Sequence, residues 1–121
     1  MRFIPAKLHG ILDYSVALTL VAGPLLFGFE GLALYLAVGG GIGLFIYSLI
    51  TDYSVSVQRI LPFRTHLVFD FVAASVLAAA PFLFGFGNVE TFFYVAIGLA
   101  VIAVVLVTDP NIEPARIPEP V

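Results

Sequence analysis

Four long apolar runs dominate this chain, at residues 10–29, 32–50, 67–86 and 91–107. Between them lie two brief polar breaks, at Glu30-Gly31 and residues 87–90, and one longer break around residues 52–65. About 20 helical residues, at 1.5 Å each, cover the roughly 30 Å of a bilayer's hydrocarbon core. The runs are apolar on all sides and lack the period-two alternation of a membrane β-barrel. Backbone polar groups cannot stay unpaired in lipid, so such runs must close their hydrogen bonds as helices. The pattern predicts an all-α protein, a four-transmembrane-helix bundle.

The runs are organised as a duplication. Residues 2–52 and 59–109 align at a constant offset of 57 with no gap and 17 identities. Arg2 matches Arg59, Pro5 matches Pro62, His9 matches His66, and Asp13 matches Asp70. Pro24 matches Pro81, Leu26-Phe27-Gly28-Phe29 matches Leu83-Phe84-Gly85-Phe86, and Thr51-Asp52 matches Thr108-Asp109. Each copy holds two spans and a very short turn, which makes it an antiparallel helical hairpin. An even number of spans per copy points both copies the same way, giving two tandem parallel-oriented hairpin repeats about an axis along the membrane normal. Residues 1–109 thus form a single membrane domain. Four prolines between residues 110 and 121 predict an extended tail without a helix. The alternating segment 53–57 predicts an interfacial stretch.

Positions shared by both copies show which faces matter. In the first run, 9, 13, 17, 20, 24 and 27 fall within an arc of about 80° at 100° per residue. This stripe predicts that the first and third helices meet near the axis, with Ala17 and Ala74 small enough for close approach. Pro24 and Pro81 remove one backbone bond each at equal depth and predict a helix kink in each copy. Gly39 and Gly43 are spaced as a helix-packing pair, with Ala96 and Ala100 in the second copy. The run Gly39-Gly40-Gly41-Ile42-Gly43 is not a phosphate loop, because it lies mid-span with no strand before it and no Lys-Ser/Thr after it.

Composition agrees: the chain is 61% hydrophobic and 11% charged, with a mean hydropathy of +1.12, against about 25% charged in soluble domains. The cations carry topology. Arg2, Lys7, Arg59, Arg64 and Arg116 all fall on one side of a four-span chain. The positive-inside rule makes that side cytoplasmic, with both termini and the central loop, in a cell (inner) membrane. The first run is not read as a cleaved signal peptide, since its repeat partner at 67–86 cannot be one. Cysteine is absent, which excludes disulfides and thiolate chemistry. Tryptophan is absent too, leaving Tyr14, Tyr35, Tyr47, Tyr53 and Tyr94 as candidate interfacial anchors.

The candidate chemistry is the doubled pattern Arg-x-x-Pro-x-Lys/Arg-x-His-x-x-x-Asp-aromatic. His and Asp four apart share a helical face. Asp13 and Asp70 lie about one turn inside the membrane edge, where an unpaired carboxylate is costly. With Asp52, Asp109, Lys7 and Arg64, the two His/Asp pairs crowd one end of the bundle. Three readings compete. The first is a structural clamp in which His9, or a cation such as Lys7 or Arg64, pairs with Asp13 or Asp70. The second is a proton, ion or small-ligand site for transport or sensing, with His9 and His66 titrating. The third is metal or haem ligation by the two histidines, for which no specific motif is present, so no metal or cofactor is expected. Nothing resembles a catalytic nucleophile or a nucleic-acid patch; the expected partners are the bilayer and, through the Gly-rich face, a second copy.

The segments Gly23-Pro24-Leu25-Leu26-Phe27-Gly28-Phe29 and Ala80-Pro81-Phe82-Leu83-Phe84-Gly85-Phe86 resemble the repeated element of bacterial SPW-repeat membrane proteins, with Gly or Ala for its Ser and Leu or Phe for its Trp. The start Pro5-x-Lys7-x-His9-x-x-x-Asp13-Tyr14 is similar as well. The resemblance covers most of both hairpins. It implies a four-helix membrane protein and no particular reaction.

Overall fold

The computed structural model describes residues 2–52 and 55–111. Four helices account for the fold: α1 (Ala6–Phe27), α2 (Gly31–Leu49), α3 (Phe63–Phe84) and α4 (Asn88–Val107). All four are long and apolar enough to cross a membrane. Large apolar side chains such as Leu18, Leu26, Phe82 and Phe92 remain exposed along them, as expected where lipid replaces water around a bundle. Tyr53, Ser54, Arg116 and most of the proline-rich tail lie outside the described residues.

α1 and α3 begin four residues ahead of the apolar runs. Pro5 and Pro62 sit just before the first helical residue. Each proline carbonyl accepts the first helical bond, from the His9 N–H at 3.0 Å and the His66 N–H at 3.1 Å. A proline there sacrifices no bond, since helix starts have N–H groups to spare. The polar first turns, with Lys7 and Arg64, are therefore helical, and the histidines are held by backbone bonds.

The prolines expected to kink the helices also take part in ending them. Pro24 and Pro81 lie in the last turns of α1 and α3, four residues before Gly28 and Gly85. Those glycines adopt left-handed backbone, with φ of 73° and 67°. The Pro24 carbonyl accepts the Gly28 N–H and the Phe29 N–H at 2.9 Å; the Pro81 carbonyl does the same for Gly85 and for Phe86 at 3.0 Å. This six-to-one closure is a Schellman stop. The repeated Pro-x-x-Phe-Gly-Phe marks the end of each helix.

The backbones approach most closely within each hairpin, α1 to α2 and α3 to α4, and less between hairpins, where α2 and α3 make the main approach. The small residues serve the hairpins. A Cβ on Gly41 would lie 2.8 Å from the Ala17 carbonyl oxygen, and one on Gly98 would lie 2.7 Å from that of Ala74. The Ala17 and Ala74 carbonyls therefore face Gly41 and Gly98 across their own hairpins, and α1 and α3 make little close backbone contact. Gly39 and Gly43, expected to pack, face open space; Gly41, between them, is the contact. In the half of the bundle away from the termini, Leu20 and Leu77 join Ala33, Ala37, Ala80, Phe29 and Tyr94 in one core. Tyr94 is not an interfacial anchor: it is fully buried, and its hydroxyl donates to the Ala33 carbonyl of α2.

At the opposite end the backbone shows the two-fold relation. Ile4 pairs in parallel with Thr108, and Leu61 with Thr51; these pairs map onto each other at the offset of 57. The segment before α1 is thus stitched to the end of α4, as the segment before α3 is to the end of α2.

Candidate functional site

His9 and Asp13 occupy the first two turns of α1, and His66 and Asp70 the equivalent turns of α3. All four are buried, with the histidines fully so. The i, i+4 spacing places each pair on one face, but the tighter bonds cross between the copies. His9 Nε2 lies 2.8 Å from Asp70 Oδ2, and His66 Nε2 lies 2.6 Å from Asp13 Oδ2. The contacts within a helix are longer, 3.3 Å for His9 to Asp13 and 3.1 Å for His66 to Asp70.

The other ring nitrogens are also engaged. His9 Nδ1 is 2.8 Å from Thr108 Oγ1, and His66 Nδ1 is 2.6 Å from Thr51 Oγ1. Each threonine hydroxyl donates to the carbonyl four residues back, Thr108 to Val104 and Thr51 to Tyr47, both at 2.6 Å. A carbonyl only accepts, so the hydroxyl hydrogen is spent there and the hydroxyl oxygen must accept from the imidazole Nδ1–H. That fixes the ring: a neutral histidine then carries its lone pair on Nε2, facing a carboxylate that is itself an acceptor. Each cross-copy pair therefore shares one proton between Nε2 and Oδ2. With two carboxylates and two such protons, the cluster is neutral as a whole.

Tyr47 breaks the symmetry. Its hydroxyl donates to Asp70 Oδ1, whereas its repeat partner is Val104. Phe63 covers the termini side, edge-on to His9 at 5.4 Å and stacked on His66 at 6.0 Å. With Ala6 it forms a small buried apolar plug. Two cavities flank the carboxylates from the interior. One of about 220 Å³ reaches Asp70 past Val16, Leu44 and Ala73; one of about 140 Å³ reaches Asp13 past Leu12, Val101 and Val104. Both are lined almost wholly by apolar groups.

The remaining polar residues expected in the cluster stand apart. Lys7 and Arg64 are exposed, and Arg64 bonds Asn111 at 2.9 Å. Asp52 is buried but pairs with Arg59 at 3.2 Å. The Asp109 carboxylate accepts the Asn111 N–H. Among the described residues, the side chains bonded to Asp13 and Asp70 are the two histidines and, for Asp70, Tyr47. Thr51, Thr108 and Tyr47 were not assigned from the sequence. Thr51 and Thr108 carried a signal, being identical in both copies and ending their helices beside the histidines' end. Tyr47 carried none. A haem bound by both histidines would have to displace both carboxylates from Nε2.

Comparison of the chain with protein-family models, with curated proteins and with solved structures finds no match.

Proposed function

We propose that this is a small multi-pass protein of the bacterial inner membrane, both termini cytoplasmic, whose His/Asp cluster clamps two duplicated hairpins into one bundle and performs no reaction. One observation carries the reading. The hydrogen-bonded ring takes side chains from α1, α2 and α3 and, through Thr108, the end of α4, while the backbones of the two hairpins approach each other at few places. Buried polar groups that satisfy one another across helices fix register and depth. Inside a membrane they leave few alternatives, because an unpaired carboxylate there is strongly disfavoured.

Transport is less well supported. Away from the termini the core beneath the cluster is Leu20, Leu77, small alanines and a Tyr94 already bonded to backbone, with no second polar station among the described residues of that core. The Pro-x-x-Phe-Gly-Phe stop in both copies supports a place among SPW-repeat membrane proteins.

The test is an Asp13→Asn, Asp70→Asn double variant, purified in detergent and reconstituted in liposomes. The clamp reading expects a marked loss of thermal stability and, in the parent protein, no pH- or ion-driven flux. A parent protein that conducts protons or ions, with the variant losing flux but not stability, would transfer the assignment to transport.

A further inference from the structure

We propose that His9, Asp13, His66 and Asp70 form a site for one divalent transition-metal ion of the zinc class, bound between the two hairpins. The inference deepens the clamp reading and rests on it, since the ion would occupy the centre now held by the shared protons.

The donor set is the first argument. Each of the four residues offers one nitrogen or oxygen, and these atoms all lie within 4.8 Å of one another. Facing Nε2 and carboxylate oxygens are 2.6, 2.8, 3.1 and 3.3 Å apart. In a tetrahedral site with bonds of about 2.0–2.1 Å, neighbouring donors stand roughly 3.3 Å apart. The four contacts would open toward that spacing, and the wider separations, within 4.8 Å, would close toward it, to seat an ion with one donor from each residue.

Orientation is the second. Metal-bound histidines keep their other ring N–H on a fixed acceptor, which sets the tautomer and aims the lone pair at the metal. Thr51 and Thr108 do this for both rings, because their hydroxyl hydrogens are committed to backbone carbonyls. Tyr47 holds the second oxygen of Asp70 in the same way.

Charge is the third. Two carboxylates and two neutral imidazoles carry a charge of −2, which a buried site must neutralise with two protons or one dication. The exchange balances: one M²⁺ enters, the two shared protons leave, and the cluster stays neutral. Two imidazoles among four ligands favour zinc or its neighbours over calcium or magnesium, which prefer six or more oxygens. The ligands come equally from both copies, so a bound ion would cross-link the hairpins.

The experiment uses the full chain in detergent, stripped with a chelator and then titrated with Co²⁺ and Zn²⁺. We expect one Co²⁺ per chain with the intense visible bands of four-coordinate cobalt, displacement of those bands by Zn²⁺, and a rise in melting temperature with either ion. Asp13→Asn should weaken binding by more than tenfold. Thr51→Val, which leaves all four ligands in place, should weaken it by about 10- to 100-fold. A folded parent protein showing neither cobalt bands nor a melting shift at tenfold excess metal would overturn the proposal. So would binding that Asp13→Asn leaves unchanged, since the ion would then sit elsewhere. Failure of the metal site alone leaves the metal-free double aspartate variant unstable. Failure of the clamp shows instead as a metal-free double variant as stable as the parent.

Discussion

His9 Nε2 lies closer to Asp70 Oδ2, 61 residues away at 2.8 Å, than to Asp13 Oδ1 on its own helix at 3.3 Å. The tighter bond joins the hairpins, so its removal should weaken the hold of one on the other. Asp70→Ala strands a buried histidine and releases Tyr47; breaking a buried pair in this way costs about 3–5 kcal/mol. His9→Ala should cost a similar amount. The double variant should cost clearly less than the sum, because each single change already forfeits the same bond. Unfolding in mixed detergent micelles measures all three, and simple additivity would show that the two residues do not act as a pair.

Thr51 and Thr108 should matter although they touch neither aspartate. Changing either to Val leaves a histidine Nδ1–H without its acceptor, at about 1–3 kcal/mol. Nitrogen NMR of labelled protein gives a sharper readout. Both histidines should carry a proton on Nδ1 in the parent protein, and His66 alone should lose that preference in Thr51→Val.

The glycines of α2 should separate cleanly. Gly41→Ala drives a methyl to 2.8 Å from the Ala17 carbonyl oxygen and 2.9 Å from Leu20 Cβ, and overpacking of this kind costs about 1–3 kcal/mol. Gly98→Ala should behave alike against Ala74. Gly39→Ala and Gly43→Ala meet nothing within 4 Å and should be neutral, or stabilising by up to about 1 kcal/mol, the usual helix penalty of glycine relative to alanine. Melting temperatures of the four variants decide it. A large loss at Gly43 would reveal a contact with a second copy.

Topology is open to direct labelling, because the chain has no cysteine of its own. Single cysteines at exposed Glu30 and Asn88 should react with an impermeant thiol reagent from outside intact cells. One at exposed Val57 should react only after the membrane is opened. The reverse pattern would invert the orientation drawn from the five cations.

Much of this architecture was legible in the chain. Apolar runs gave the helices, and the constant offset of 57 placed His9 and His66 at the same end. What periodicity does not reveal is partnership. The spacing of His9 and Asp13 fits a bond within one helix, and only the assembled bundle shows that Asp70 competes for the same nitrogen and wins. The prolines carry a second role for a similar reason. Pro24 lies well inside an apolar run, yet the helix stops at Phe27 because Gly28 reverses the backbone, which moves the proline from the middle of a span to its last turn. Gly41 was hidden among four glycines, although its identity with Gly98 distinguished it from Gly39 and Gly43. Tyr94, read as a headgroup anchor, is buried because a carbonyl on the other hairpin accepts its hydroxyl.

The matched pairing of Ile4 with Thr108 and of Leu61 with Thr51 makes the order of the two hairpins along the chain arbitrary. The same bridge closes both junctions. Six residues, 53–58, separate the copies, and a linker of that length from Asp109 to Arg2 would span an equivalent gap. A circular permutant opened between the repeats should therefore assemble into the same bundle.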